Sequence, residues 1–199
     1  MSEYCGPVVG DDGLARPPWA AHDEMLREYY DTEWGLPVRD ERGMFERICL
    51  EGFQVGLSWK LILQKRQALR EAFFHFDPDA VAAMSSTQHL LDDATLIRNP
   101  KKLNAVLTNA RATIALRSQG TDLARLVWSF QPERTPEPET AEDVASQSPE
   151  SEALAKELKR RGFTFVGPVT MYALMESTGI IDTNLVGTWR RGASGVWPL

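Results

Sequence analysis

The sequence predicts an all-α fold. Apolar residues recur at helical spacing in most segments between residues 23 and 176, and no stretch alternates apolar and polar residues long enough to indicate a sheet. Several of these segments begin at an Asp, Ser or Pro, which are residues that commonly start helices. With 199 residues, 43% of them hydrophobic, the chain suits one large domain or two small lobes that share a core.

The first half of the chain contains five predicted helices. Asp23 and Asp40 are suitable N-caps for the first two. Gly56 can end the second helix because glycine accepts a positive φ, and Ser58 can cap the third. Two shorter helices follow, in the ranges 77–84 and 86–91.

The second half contains four more predicted helices. Pro100 and Pro168 stand at plausible first helical positions, and two helices in the ranges 123–130 and 151–160 lie between them. Residues 131–150 are acidic and rich in proline, so we expect an exposed linker or loop there. Residues 1–15 are expected to be a flexible extension of a single domain that spans 16–199.

The stretch from residue 50 to residue 59 contains the candidate functional residues. Glu51 lies on the same apolar helix face as Ile48, and a turn at Gly56 would bring Trp59 close to it. One interpretation is a helical hairpin with Trp59 in the core and Glu51 in a salt bridge. The other is a pocket with one acceptor group and an aromatic wall, suited to a flat and possibly cationic ligand.

The charge pattern leaves a nucleic-acid partner open. The net charge is −6, but residues 131–152 alone carry −6 from seven acids and one arginine, so the remainder is neutral. Within the remainder, residues 98–117 contain five bases and no acid, and residues 156–161 contain four bases and one acid. These two patches can track a phosphate backbone, or they are ordinary solvated helix faces.

A short segment with a glycine at each end, residues 162–167, separates two of the predicted helices. A helix, a short hairpin and a second helix can grip a phosphate, because backbone amides and the helix dipole point at one anion. The alternative is an ordinary turn between two helices.

Several classes of protein and site are disfavoured. No apolar run approaches the roughly 20 residues that span a bilayer, and no signal peptide is evident, so we expect a cytoplasmic protein. Cys5 and Cys49 form no metal-binding or redox spacing, and Cys49 is expected to be a buried thiol. We expect no cofactor and a monomeric state.

Several motifs in order resemble the bacterial DNA-3-methyladenine glycosylase I family of helix-hairpin-helix repair enzymes, over roughly residues 16–188. They comprise Glu33-Trp34-Gly35-x-Pro37, Leu50-Glu51-Gly52 with Gly56-Leu57-Ser58-Trp59, Ile97-Arg98, Asn109-Ala110-Arg111-Ala112, Trp128-Ser129-Phe130, and Arg161-Gly162-Phe163-x-Phe165-Val166-Gly167.

The resemblance implies two helical lobes with a base pocket between them, and duplex DNA carrying alkylated purines as the partner. It implies that Glu51 is the catalytic carboxylate. The residues implied to bind the flipped base are Tyr29, Trp34, Trp59 and Trp19. Together with the basic patches, the expected DNA-contact set is Gly56, Leu57, Arg98, Lys101, Lys102, Lys159, Arg161, Gly162, Phe163 and Gly167.

The implied reaction is hydrolysis of the N-glycosidic bond of 3-methyladenine, which leaves an abasic site. A 3-methylated adenine is already cationic, so it leaves without a strong general acid, and an aromatic cage with Glu51 favours the cation. No lysine is obviously placed for a Schiff base, so a monofunctional enzyme is expected. Asp182 is expected to be a cap rather than a catalytic residue, and Leu26 lies near the pocket.

The chain departs from the family at its zinc site, which commonly joins the termini through two Cys and two His. Those four positions correspond here to Pro17, Tyr30, Asn184 and Thr188, which supply neither thiolate nor imidazole. We therefore expect no zinc. Packing would then join the termini, with Tyr30, Leu185 and Trp189 as candidates.

Two other functions compete with an N-glycosylase. One is a protein of the same fold that binds damaged DNA without cutting the bond. The other is an all-α protein-interaction domain with incidental basic patches. Salt-dependent binding to duplex DNA separates the first from the second.

Overall fold

The computed structural model describes residues 6–197 and confirms the all-α class. The helices in this range are α1 (Pro18–Ala21), α2 (Glu24–Thr32), α3 (Glu41–Gln54), α4 (Trp59–Ala72), α5 (Pro78–Ala82), α6 (Pro100–Arg117), α7 (Leu123–Trp128), α8 (Pro149–Arg160) and α9 (Pro168–Ser177). Short 3-10 turns cover Phe74–Phe76, Gln88–Asp92 and Ala141–Asp143. None of the helices between residues 6 and 197 has the length and apolar character that a membrane span requires.

Local signals start several helices where the sequence predicted, although the helix expected at 86–91 is a 3-10 turn over Gln88–Asp92 and α1 was not predicted. Asp23, Asp40 and Ser58 each accept a hydrogen bond from the backbone N–H three residues later, at 3.1, 2.8 and 3.3 Å. Gly56 has a φ of +75° between α3 and α4, a conformation that favours glycine. The chain therefore reverses between residues 54 and 59, and the first residue of α4 returns towards α3.

Helix α3 lies at the centre of the core. It packs against α4, α6, α7 and α9. Nine of its fourteen residues are buried, and two of these, Arg47 and Glu51, have basic or acidic side chains. Cys49 is buried on the same helix with a free thiol, as predicted. The helix that packs against four others is thus also the one that carries the candidate carboxylate.

Residues 161–167 form the hairpin between α8 and α9. Asn109 of α6 holds this hairpin, because its Nδ2 donates to the Thr164 carbonyl at 3.1 Å and its Oδ1 accepts from the Thr164 N–H at 2.8 Å. Gly52 of α3 lies against it, since a Cβ at position 52 would stand 3.3 Å from Phe165 Cβ. The hairpin is therefore fixed to both α3 and α6.

The N-terminal segment contains a small antiparallel hairpin. Strand β1 (Val8–Val9) pairs with β2 (Ala15–Arg16), with Val8 opposite Arg16. Two-residue strands are too short to show the alternation that identifies a strand in sequence, so none was predicted. The flexibility of residues 1–15 stays a prediction, and Cys5 lies outside the described residues.

The acidic segment, residues 131–150, packs against the C-terminal part of the chain instead of extending freely as a linker. Pro138 is buried, and its carbonyl accepts from the Val186 N–H at 2.8 Å. Thr135 Oγ1 accepts from the Asp182 N–H and donates to the Asp182 carbonyl, both at 2.7 Å. Most of the other residues in the segment are exposed, so a composition typical of a linker here belongs to an anchored surface loop.

The two ends of the domain meet at a contact that we call the terminal seam, formed by Arg16, Tyr30, Asp31, Asn184 and Trp189. Tyr30 is fully buried and donates its hydroxyl hydrogen to Asn184 Oδ1 at 2.6 Å. Arg16 pairs with Asp31 at 2.7 Å, and Trp189 Nε1 donates to Asp31 Oδ1 at 3.1 Å. Polar contacts join the termini in addition to the packing that was expected.

The residues at the seam do not fit a structural zinc ion. Tyr30 and Asn184, which stand at two of the family's ligand positions, bond to each other. At the other two, Pro17 is buried and Thr188 Oγ1 donates to the carbonyl of the buried Leu185 at 2.7 Å. Within residues 6–197, no group of three or more His, Cys, Asp or Glu side chains is placed to hold a metal.

The seam predicts the effect of removing one hydroxyl. Tyr30→Phe should lower the free energy of unfolding by about 1–3 kcal/mol, because it leaves the buried Asn184 carbonyl oxygen without that donor. Tyr172→Phe is the matched control. Tyr172 is also buried, with 3% of the residue exposed, and its hydroxyl has no hydrogen-bond partner among the described residues, so the control should cost less than about 0.5 kcal/mol.

Urea unfolding measures both variants, with and without a chelator. The chelator should leave the wild-type midpoint unchanged. Equal losses for the two phenylalanine variants would contradict a structural role for the Tyr30–Asn184 bond.

Candidate active site

A cavity of about 300 Å³ lies beside α3 and collects the residues expected to bind a base. All five of the predicted pocket residues line it, and six others complete the wall. The lining consists of Trp19, Leu26, Tyr29, Trp34, Glu51, Gln54, Ser58, Trp59, Lys60, Ala173 and Glu176. The structure therefore brings Glu51 and the four aromatic side chains together, which favours the pocket interpretation over a closed helical hairpin.

Five helices and the turns that follow α2 and α3 supply this wall. Helix α2 provides Tyr29, α3 provides Glu51, and the reversal at Gly56 places Trp59 at the start of α4. Trp19 comes from α1 and Trp34 from the turn after α2, while α9 closes the opposite side. The wall combines segments that are far apart in sequence, and the packing of α9 on α3 joins them.

The aromatic rings contact one another around the cavity. Tyr29 and Trp59 have their ring centroids 5.4 Å apart with the planes tilted by 45°. Trp19 and Trp34 meet edge to face at 5.5 Å. Tyr30 of the terminal seam stacks on Trp34 at 5.8 Å and touches Trp19 edge-on at 5.5 Å. Rings held in this way present π faces and edges to a flat ligand, and their faces attract a cation.

The Glu51 carboxyl is buried, with 3% of the residue exposed. Ser177 Oγ donates to its Oε1 at 3.1 Å. Burial raises the pKa of Glu51 to about 8, against the opposing effects of the Ser177 hydrogen bond and the Arg47 charge, and the nearby Glu176 raises it further. The pocket therefore favours the protonated form of Glu51, and a cationic ligand would favour its ionised form.

Arg47 lies one helical turn before Glu51 and was not predicted from the sequence. Its Nη1 donates to the Tyr29 hydroxyl at 2.9 Å, and its guanidinium stands 5.6 Å from the centre of the Tyr29 ring. Glu33 pairs with Arg47 from the other side. Burial raises the pKa of Tyr29, so the phenol stays protonated. Since Arg47 supplies a hydrogen to the phenol oxygen, the hydrogen of Tyr29 itself is left to donate into the cavity.

Two further groups of the wall were missed by the sequence analysis. The indole Nε1 of Trp59 is buried and has no acceptor among the described residues, so it is a donor available to a ligand. Glu176 of α9 is a second carboxyl in a pocket that was expected to hold one. The only sequence signal for Glu176 is its position three residues after Ala173, on the helix that follows the hairpin.

The accessible residues of the expected DNA-contact set lie in the α3–α4 turn, around the start of α6, at the end of α8 and in the hairpin. Arg98, Lys101 and Lys159 are exposed, as are Gly56 and Gly162, and Leu57 and Gly167 are half-buried. The side chain of Leu57 packs partly against the core. These seven residues keep their predicted role as a hypothesis.

Three members of that set are placed differently. Lys102 is buried, and its Nζ donates to the Phe53 carbonyl at 2.8 Å and to the Val55 carbonyl, so it caps the end of α3. Phe163 is 3% exposed and belongs to the core. Arg161 pairs with Glu157 at 2.6 Å. The buried Lys102 and Phe163 side chains are not available to a phosphate, and the charge of Arg161 is locally neutralised. The expected grip of the hairpin backbone on DNA stays a prediction.

Asp182 has a structural role at the C-terminal segment. Its Oδ1 accepts from the Asn184 backbone and side-chain N–H groups at 2.9 and 2.8 Å, and its Oδ2 accepts from the Gly192 N–H at 2.8 Å. It does not line the cavity. Three donors in a buried turn account for this aspartate, in line with the expectation of a cap.

The raised pKa of Glu51 predicts how stability depends on pH. An acid whose pKa is higher in the folded state, here about 8 against an ordinary 4.5, destabilises the fold as pH rises from the lower value to the higher. Glu51→Gln removes this penalty and keeps an acceptor for Ser177. The variant should be more stable than wild type by roughly 2–4 kcal/mol at pH 8 and by less than about 1 kcal/mol at pH 5.

Urea unfolding at both pH values tests this, with Glu133→Gln on the exposed acidic segment as the control for loss of one negative charge. Equal stability of wild type and Glu51→Gln at pH 8 would show that Glu51 is ionised and compensated in the empty pocket.

Comparison with known proteins agrees with the geometry. A family model described as methyladenine glycosylase matches residues 19–191. The DNA-3-methyladenine glycosylase 1 of Escherichia coli K12 is 40% identical over 179 residues, which cover 87% of this chain and 95% of that enzyme.

Solved structures agree as well. A crystal structure of 3-methyladenine DNA glycosylase I has a TM-score of 0.85 at 38% identity, covering 88% of this chain and 99% of the other. The Staphylococcus aureus enzyme, studied for its recognition of 3-methyladenine, has a TM-score of 0.81 at 30% identity, covering 85% and 93%. The chain belongs to the methyladenine glycosylase family.

Proposed function

We propose that this protein is a DNA repair glycosylase that flips 3-methyladenine out of alkylated duplex DNA and hydrolyses its N-glycosidic bond. The observation that carries the proposal is the single cavity in which Glu51 stands among Tyr29, Trp34, Trp59 and Trp19. The relatives named for the same lesion support the substrate. A volume of about 300 Å³ is at the lower end for small-molecule pockets and suits a compact ligand such as one base.

The charge of the lesion explains how the cavity would work. A 3-methylated adenine in DNA is cationic, so it leaves the sugar without protonation, and the protein has only to bind it out of the helix. The aromatic faces attract the cation, and ionised Glu51 accepts hydrogen bonds from the exocyclic amine. Normal adenine is neutral and gains neither charge interaction, so selectivity would follow from differential binding.

The hydrolysis would be monofunctional. Water attacks the sugar carbon as the bond to the base breaks, and an abasic site remains. Lys60 lines the cavity, which the sequence analysis did not foresee, but its Nζ pairs with Asp23. We therefore assign no Schiff base and no strand cleavage to this site.

The hairpin and the basic residues would hold the DNA backbone. Helix α9 starts at Gly167 and Pro168 without a side-chain cap, so its first amide groups are left for a phosphate. Arg98 and Lys101 lie at the start of α6, which Lys102 ties to the end of α3. Leu57, in the adjacent turn, would fill the gap that the flipped nucleotide leaves. We infer a monomeric enzyme that acts in the cytoplasm on nucleoid DNA.

A release assay tests the proposal directly. Methylated duplex DNA is incubated with the protein, and the freed bases are separated by chromatography. Wild type should release 3-methyladenine, and Glu51→Gln should release it roughly 10- to 100-fold more slowly, because glutamine keeps the shape but carries no charge. Glu133→Gln should match wild type.

Non-specific affinity for duplex DNA should be the same for wild type and both variants. If wild type binds DNA but frees no 3-methyladenine above background, the protein is a damage-binding module and the enzymatic proposal fails.

The backbone contacts predict a uniform loss of affinity. Lys159→Ala should weaken binding to duplexes of any sequence, and the slope of log K against log salt should decrease in magnitude by about 1. Arg125→Ala, which removes an exposed charge from α7, should leave the slope unchanged. Fluorescence anisotropy across a salt series measures both, and a change in base preference for Lys159→Ala would contradict a phosphate contact.

A further inference from the structure

Glu176 lies at the base cavity but has no role in the reaction proposed above. It lines the base cavity together with Glu51, and it also lines a second cavity of about 360 Å³. Trp19 and Trp34 are likewise shared between the two cavities, so Glu176 stands in the partition that separates them. A carboxyl in the wall of an apolar pocket needs a partner when it is ionised.

Only one of the two carboxyl oxygens of Glu176 accepts a hydrogen bond from the described residues. Thr183 Oγ1 donates to Glu176 Oε1 at 2.6 Å. Glu176 Oε2 has no hydrogen bond within residues 6–197. The next residue in α9, Ser177, donates to Glu51 at 3.1 Å, so consecutive residues of one helix serve the two acids. The pair is built into the packing of α9 on α3.

We propose that Glu176 is a specificity-determining residue, a second carboxylate that selects cationic bases over neutral ones in this cavity. The inference rests on the proposed function and deepens it, because it concerns which bases the same pocket accepts. A cation placed among the aromatic rings faces negative charge from both α3 and α9. A neutral base of the same shape gains nothing from the second charge.

The electrostatics of the pair support this role. Burial raises the pKa of Glu51 to about 8 and that of Glu176 to about 7, the latter against its hydrogen bond from Thr183. The other ionisable groups around the pair are Arg47, whose charge lowers the pKa of Glu51, Tyr29 and Lys60, which line the cavity, and Tyr172 on α9, whose own pKa Glu176 helps to raise.

Each carboxyl therefore loses its proton more readily when a cation is present. This coupling makes selection by two acids stronger than selection by one, and it weakens as pH falls and both acids become protonated.

Binding of two small probes tests the proposal without relying on excision. The 3,9-dimethyladeninium ion carries the charge of the methylated nucleoside, and 9-methyladenine is its neutral counterpart. Tryptophan fluorescence can report both, since three tryptophans line the cavity. At pH 8 wild type should prefer the cation, and Glu176→Gln should reduce this preference about tenfold. Glu133→Gln should not change it.

The pH profile separates a charge effect from a structural one. Wild-type preference for the cation should fall between pH 8 and pH 6. In Glu176→Gln the fall should shift to lower pH, because the pKa of Glu51 is no longer raised by its neighbour. Thr183→Val keeps the charge but removes the donor, and should retain the preference within about threefold.

Three outcomes overturn the proposal. These are an unchanged preference in Glu176→Gln at every pH, a pH profile that does not move, and a loss in Thr183→Val equal to that in Glu176→Gln. Selective binding of the cation by a protein that releases no 3-methyladenine from DNA would instead refute the proposed function and leave the selection by Glu176 in place.

Discussion

Burial of the Glu51 carboxyl against α9 is the constraint on which the rest of this structure depends. A carboxylate in such a place is costly, and within residues 6–197 its only direct hydrogen bond comes from Ser177, together with the more distant charge of Arg47. The acid is therefore easier to keep protonated than ionised while the cavity is empty. A positively charged ligand offsets the free-energy cost of ionising the buried carboxyl. The burial that destabilises the fold therefore makes the cavity selective for a cation.

The terminal seam connects the cavity with the two ends of the domain. Tyr30 bonds to Asn184 at the seam, and the same ring stacks on Trp34 and meets Trp19 edge-on. Trp19 and Trp34, which line the base cavity, thus pack against Tyr30, a residue of the terminal seam. A metal ion is one way to fix such a junction, and a buried phenol with an amide partner is another. The second way makes the pocket depend on packing rather than on metal supply.

The part of the site that is local in sequence was predictable, and the part that depends on tertiary packing was not. Glu51, Gly56, Ser58 and Trp59 lie within one helix–turn–helix, where helical spacing, a glycine turn and a serine cap determine their relative positions. The family resemblance added the more distant Trp19, Tyr29 and Trp34, which no local spacing connects with Glu51. Of the fold, the long helices and their caps were predictable for the same local reason.

Several residues have tertiary partners that local sequence patterns could not indicate. Lys102 has the sequence context of a solvated basic patch, but its ammonium group donates to a backbone carbonyl at the end of α3. Arg47 and Glu176 look like ordinary surface charges of two helices until those helices pack around a cavity. The acidic segment has the composition of a linker, yet its Thr135 and Pro138 bond to the C-terminal part of the chain. In each of these cases a charged or polar group has a partner that is far away in sequence.

The two charge demands of a glycosylase are separated in space here. Basic residues such as Lys101 and Lys159 are exposed, where they would meet phosphates of any sequence, and the acids Glu51 and Glu176 line the cavity proposed to take the flipped base. Affinity for the backbone therefore adds nothing to the choice of base. A neutral base that flips into the cavity meets two carboxyls that keep their protons, so it is held only by its rings and hydrogen bonds. A cationic base meets two carboxyls that ionise in its presence, and the discrimination arises at that step, after the DNA has been bound.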